Sequence, residues 1–244
     1  MASILKSLNS LDFLLRSWSP PLRGAYKERG PERQQPFFRP SLMRCLSPQS
    51  QELCLFYRWI FEQLPSQALR RSQKAIDIGS KSFAYAAALS DFLLSREGGG
   101  ELIGLEADGG RRFWNLYRRR DLARYYAALS NHEFPNLRCR YEEANWLERK
   151  PDRFDVISCF FPFLFEDLSN AWGLPPRYFD PRNFYQKIFA EAESVVFFHQ
   201  GKEELESSLQ LAKSLHRSPV WSGTFKDNPW MTRRHSVEVL LFSS

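Results

Sequence analysis

From residue 74 onward the sequence switches repeatedly between short apolar runs and longer stretches with helical periodicity. This alternation narrows the possible folds more than any other feature of the chain. KAIDIG (74–79), ELIGLEA (101–107), LRCRY (137–141), FDVISCFF (154–161) and SVVFFHQ (194–200) read as strands. Between them, 83–95, an arginine-rich stretch over roughly 111–129, a segment near 182–192 and 202–215 read as helices. Strands alternating with helices predict a mainly parallel sheet covered on both faces. The last two strands, near 219–225 and at 237–243, have no helical segment between them and are expected to pair antiparallel. The expected fold is therefore α/β: a doubly wound, mainly parallel seven-stranded sheet with a C-terminal antiparallel hairpin.

The first 72 residues have a different character, a helical and basic N-terminal extension before a domain spanning 73–244. Ile4, Leu8, Leu11, Leu15 and Trp18 recur at spacings of three and four, which predicts an amphipathic helix over 2–17, ended by Pro20 and Pro21. A proline- and arginine-rich connection follows. A second helix is expected from Ser50 to Leu64, closed by Pro65. The chain's net charge of +6 sits here: residues 1–72 hold 11 Lys/Arg against 5 Asp/Glu, and the remainder holds 23 of each. A basic extension beside a neutral domain gives no whole-protein signal for DNA.

Several function classes fall away. No run approaches the ~18 apolar residues that a membrane span needs. The opening residues are broken by Asn9, Ser10, Asp12 and Arg16 and do not read as a secretory signal. Four cysteines, at 45, 54, 139 and 159, form no C-x-x-C pair and have no histidine at zinc-finger spacing, so no metal site is expected. So few cysteines suit a reducing compartment, and a cytoplasmic location is expected. The G-x-G-x-x-G fingerprint of nicotinamide enzymes and the Walker A loop are both absent.

In doubly wound sheets ligands bind beyond the carboxyl ends of the strands, and there this chain concentrates its polar residues. The first strand ends in Asp77-Ile78-Gly79-Ser80-Lys81-Ser82-Phe83. A glycine after a buried strand lets the chain turn sharply and bring backbone N–H groups close to a ligand. The second strand ends at Glu106, whose carboxylate can accept two hydrogen bonds from a ribose diol. The third is followed by Glu142 and Glu143, where an acid can accept from an exocyclic amine. The fourth runs into Phe160, Phe161, Pro162 and Phe163, an apolar shelf for a base or an aromatic substrate. Each of these also has a plain reading as a cap, a solvated acid or a core edge.

In their order and spacing these residues resemble the class I S-adenosylmethionine-dependent methyltransferases, over about 74–244. That family carries acid-x-Gly-x-Gly-x-Gly at the end of its first strand. Asp77 and Gly79 match, while Lys81 and Phe83 stand at the second and third glycine positions. The resemblance implies S-adenosylmethionine as cofactor, held by Asp77, Gly79, Ser80, Lys81, Glu106, Glu143 and Phe160, with Lys81 able to pair with the cofactor's carboxylate. It implies an acceptor pocket involving Pro162, Phe163 and Trp172, and methyl transfer by in-line displacement. The acceptor, whether small molecule, RNA or protein, is not identified. A second reading stays open because of Lys81 and Phe83: a non-catalytic relative that keeps the fold as an RNA- or protein-binding module.

Alignment of nucleophile and methyl supplies most of the rate in such a displacement, so proton-handling residues are few. His199, at the end of the fifth strand, can take a proton; Glu166 and Asp167, beyond the fourth, can orient an amine. In the arginine-rich stretch, Phe113, Trp114, Tyr117, Tyr125 and Tyr126 interleave with six arginines. That pairing can mean RNA contact, but on a helix covering a sheet the aromatics are expected to face the core and the arginines the solvent.

Overall fold

The computed structural model describes residues 46, 48–65, 69, 73–93, 99–112, 117–228 and 232–243; the helix expected over 2–17 lies outside them. The elements run α1 (Pro48–Gln63), β1 (Lys74–Ile78), α2 (Ala86–Leu93), β2 (Gly100–Glu106), α3 (Arg119–Glu133), β3 (Leu137–Glu143), β4 (Phe154–Phe160), α4 (Glu166–Ala171), α5 (Pro181–Glu191), β5 (Ala192–Gln200), α6 (Lys202–Ser214), β6 (Trp221–Asp227) and β7 (Thr232–Ser243). Single 3₁₀ turns lie at Trp146–Glu148 and Pro176–Tyr178.

The seven strands form one sheet in the order β3-β2-β1-β4-β5-β7-β6. Pairing is parallel from β3 through β5, and β7 runs antiparallel to both β5 and β6. This is the doubly wound sheet with a terminal hairpin that the alternation predicts. Its strand order reverses between β1 and β4, which places a ligand crevice at their carboxyl ends.

The central strands are apolar almost throughout because helices cover both their faces. One face packs against α1, α2 and α3, through Leu55, Phe56, Ile60, Phe61, Ala86, Leu89, Ala123 and Ala127. The other packs against α5 and α6, through Tyr185, Ile188, Phe189 and Ala212. At the carboxyl end of β4, Phe160 stacks on its register partner Phe198 at 4.0 Å, with Tyr57 edge-on at 4.6 Å. A helix from outside the strand–helix alternation thus closes the core directly beneath the crevice. Among the described residues no helix is long and apolar enough to cross a membrane.

Two helices start later than their periodicity suggests. The helix expected from 83 begins at Ala86, because Phe83 has a positive φ of 55° and belongs to the preceding turn. The helix expected over 111–129 is Arg119–Glu133. Asp121 fixes its start by accepting a hydrogen bond from the Arg118 N–H at 2.8 Å, an acid in the first turn where the helix dipole favours it. Before that start, Arg112 and Arg118 pair in an isolated antiparallel bridge. Tyr126 faces inward and shares a hydrogen bond with Ser50, but Tyr117 and Tyr125 are exposed, contrary to the expected inward packing; Phe113 and Trp114 lie outside the described residues.

Candidate active site

An open cleft of about 90 Å³ lies at the carboxyl ends of β1, β2 and β4 and against the turn after β3. Its walls come from Gly79, Glu106, Ala107, Asn145, Pro162 and Phe163, closed from above by Tyr178, Asp180 and Phe184.

The turn after β1 builds one wall. Gly79 has φ +78°, and a Cβ there would lie 2.8 Å from the Phe160 carbonyl oxygen, so only glycine fits. Its N–H and that of Ser80 both reach the Leu105 carbonyl, at 2.9 and 3.2 Å, which ties the turn to the end of β2. Lys81 and Phe83 then adopt φ +52° and +55°. The three positions at which the resembled family has glycine are therefore all left-handed here, two of them without glycine, at roughly 1–2 kcal/mol each. Burial offsets the cost at Phe83. Its ring is fully buried over Gly104, where any Cβ would come within 2.7 Å of it, and it leaves the cleft open.

Glu106 is held by the backbone. One carboxylate oxygen accepts from the Lys81 N–H and the other from the Asp108 N–H, both at 2.9 Å. Two acceptor positions remain on the carboxylate. Arg119 stands nearby, its guanidinium 3.6 Å from Glu106 Oε1 and 3.5 Å from Asp108 Oδ2. Above them lies the Trp172 indole. Arg111, Lys81 and Arg119 sit 4.9, 5.4 and 5.5 Å from its ring centre.

Asp77 is fully buried beneath the turn. Ser158 Oγ donates to one of its oxygens at 2.6 Å and Tyr85 Oη to the other at 2.8 Å. Burial pushes its carboxyl up to about 8, opposed by those hydrogen bonds and helped by the Glu106 charge. Asp77 braces the turn and does not line the cleft; neither do Ser80 and Lys81. Glu143 pairs with Arg120 at 2.7 Å and also stands outside the lining. Phe160 contributes to the wall, although its ring belongs to the aromatic cluster on the α1 face.

On the acceptor side, Pro162 and Phe163 line the cleft, and Trp172 packs edge-on against Phe163 at 5.8 Å. Glu166 and Asp167 form the exposed first turn of α4. His199 is fully buried beside Phe197, neither ring nitrogen has a hydrogen-bond partner among the described residues, and burial pushes its pKa down to about 3. The ring is neutral at physiological pH and outside the cleft lining.

Three residues lining the cleft, and one acid beside Lys81, escape a reading of strand ends alone. Asn145 reaches it from the turn after β3, with its Oδ1 accepting from the Leu147 N–H at 3.3 Å. Asp180 caps α5 by accepting from the Asn183 N–H at 3.0 Å, and Asp-Pro is a helix-start signal that marks this return to the cleft. Phe184 follows one turn later. Glu204, in the first turn of α6, accepts from the Gln200 N–H at 2.6 Å; burial raises its pKa while Lys81 counters the rise.

A seven-stranded sheet of this order, with its crevice at the ends of β1, β2 and β4, is the fold of the class I S-adenosylmethionine-dependent methyltransferases. The chain is similar to magnesium protoporphyrin IX methyltransferase from Synechocystis PCC 6803, solved with bound S-adenosylmethionine. The TM-score is 0.50 at 10% identity, covering 99% of this chain and 95% of that one. A human methyltransferase 10 domain containing protein gives 0.49 at 15% identity over 78% and 82% of the two chains. A ribosomal protein L11 methylase from Lactobacillus delbrueckii subsp. bulgaricus gives 0.48 at 14% over 80% and 78%. At 10% identity the likeness to the magnesium protoporphyrin IX methyltransferase is one of fold. No family model and no curated protein matches the sequence.

Proposed function

We propose that this chain transfers a methyl group from S-adenosylmethionine to an acceptor nucleophile. The observation that carries this reading is Glu106, fixed by two backbone amides at the mouth of the cleft with two acceptor positions left over. A carboxylate placed in that way is suited to a ribose diol. The left-handed turn presents Gly79 to the amino-acid end of the cofactor, with Asp77 beneath it and the Ser80 N–H tying it to Leu105. Ala107, Asn145, Pro162 and the Phe160 backbone give the base an apolar slot with one amide at its edge. Phe163, under Trp172, covers the acceptor side, and Lys81 and Glu204 bring opposite charges to that end. When bound, the cofactor supplies an electrophilic methyl whose thioether leaves on in-line attack. The chain's own contribution is alignment and exclusion of water, with Glu166 and Asp167 as the titratable side chains beyond the end of β4; His199, buried and neutral within β5, takes no part. The division at residues 72 and 73 belongs to the same reading, with the extension beside the cofactor domain.

A second reading, a non-catalytic binding module, is favoured by Arg119, which lies buried against Glu106 where a ribose would otherwise approach. Calorimetric titration of the full chain with S-adenosylmethionine and S-adenosylhomocysteine decides between the two. Saturable binding of both is expected. Glu106→Ala is expected to weaken it on the order of 100-fold, the loss of two charge-assisted hydrogen bonds. Absence of heat with either compound at millimolar concentration overturns the methyl-transfer reading.

A further inference from the structure

We propose that the outward surface of α3, together with Arg112, Tyr117 and Arg118 before it, binds single-stranded RNA. The inference concerns a surface outside the cleft and does not depend on the cofactor reading.

Six arginines lie between residues 111 and 124. Three are committed to acids at the ends of β2 and β3: Arg111 to Asp108, Arg119 to Glu106 and Asp108, and Arg120 to Glu143. Arg112, Arg118 and Arg124 have no ion-pair partner among the described residues. Arg112 and Arg118 are, moreover, directly opposite each other across the isolated bridge. Like charges in that arrangement repel, and a polyanion lying along the surface removes the penalty. The acid within this helix's first turn, Asp121, is already engaged with the Arg118 N–H.

The aromatic residues select among polyanions. Tyr117 is 57% exposed and Tyr125 45%, whereas neighbouring Tyr126 is buried against Ser50. On the helix, Asp121, Arg124, Tyr125 and Ala128 share one outward face, with Tyr117 and Arg118 just before its start. Leu122 and Leu129 turn toward the core, so that face carries no aliphatic stripe of the kind a lipid surface selects. Arginines that neutralise phosphates, with tyrosine rings presented between them, match the backbone charge and the unstacked bases of a single strand. The ion pairs at Asp108 and Glu143 join this surface to the β2 and β3 ends of the cleft wall, so a bound strand passes beside the cleft.

The test is fluorescence anisotropy of a labelled, non-self-complementary RNA of about 15 nucleotides with the full chain and no cofactor, titrated across ~50 to ~200 mM salt. Affinity is expected to fall steeply with salt. The triple variant Arg112→Gln, Arg118→Gln, Arg124→Gln is expected to flatten the log–log slope by about 2. Tyr117→Ala with Tyr125→Ala is expected to weaken binding on the order of 30-fold or more at unchanged slope. Tyr117→Phe with Tyr125→Phe restores it, since stacking needs the ring and not the hydroxyl. Lys226→Gln, on β6 at the far edge of the sheet, is the control that changes neither. Absence of RNA binding, wild-type behaviour of both the arginine and tyrosine variants, or equal binding to phosphatidylserine vesicles or an acidic peptide overturns the proposal.

Discussion

Two carboxylates stand at the ends of neighbouring strands, Glu106 on β2 and Glu143 on β3, paired in register, and the molecule treats them differently. Glu106 is buried and held by two backbone amides, which cannot rotate away and leave part of the carboxylate for a ligand. Glu143 is partly exposed and held by the flexible side chain of Arg120. The first is fixed in place before any ligand arrives. The second is an ion pair of the kind that contributes little and exchanges easily. The contrast extends to their surroundings: the turn between β1 and β2 stores backbone strain in two left-handed residues, Lys81 and Phe83, and among the described residues the β3 side has none.

The most damaging way to break the contrast is at the turn that feeds Glu106. Gly79→Ala puts a methyl 2.8 Å from the Phe160 carbonyl and forces an L-residue to φ +78°. The left-handed penalty and the overpacking together give a destabilisation of roughly 2–5 kcal/mol. Chemical denaturation measures it. A variant within about 0.5 kcal/mol of the parent, the size of an ordinary surface substitution, removes the claim that this turn is pinned.

Much of this was readable from residues in a line, and the remainder was not, for a physical reason. Buried parallel strands declare themselves as apolar runs, and the order of Asp77, Gly79 and Glu106 along the chain marks the cleft edge. What the runs cannot reveal is which side chains a distant segment occupies. Phe83 fits a left-handed position because Gly104, in the next strand, leaves room for its ring. Asp77 faces Ser158 and Tyr85 and so braces the turn from behind instead of facing a ligand. Arg120 reaches Glu143 only because the helix starts at 119, a start hidden by the arginines and aromatics around it. Periodicity also misplaced Tyr117 and Tyr125, since it counts Tyr117 as part of a helix that has not yet begun.

Asp77 sharpens the comparison at an intermediate size. Its carboxyl titrates near 8 in the folded chain and near 3.8 when unfolded. Between these values the unfolded chain has released a proton that the folded chain retains, so stability is greatest below the lower pKa and declines as pH rises. From pH 5 to pH 7 the decline attributable to this group is about 2–3 kcal/mol. Asp77→Asn cannot titrate, and of the two hydroxyls that face it one rotates to accept from its NH2 while the other still donates to its carbonyl oxygen. Urea denaturation across this pH range is expected to show the variant gaining on the parent steadily as pH rises. Parallel curves mean that Asp77 is ionised in the fold and that its burial is compensated by something other than Ser158 and Tyr85.

The smallest effect belongs to Glu143. If Glu106 is the anchoring carboxylate and Glu143 a surface partner of Arg120, then Glu143→Gln costs no more than about 1 kcal/mol of stability, the ordinary worth of an exposed pair. S-adenosylmethionine affinity is expected to change less than about 5-fold, which is the same energy expressed as binding. Salt provides the discriminating axis. Screening weakens the Arg120 pair in the parent, so the difference between parent and variant shrinks as ionic strength rises, whereas the loss caused by Glu106→Ala persists because its partners are buried amides. A large, salt-insensitive loss at Glu143 reverses the ranking: Arg120 then releases this acid to the base on binding, and the β3 side of the cleft is as much a part of the recognition surface as the β2 side.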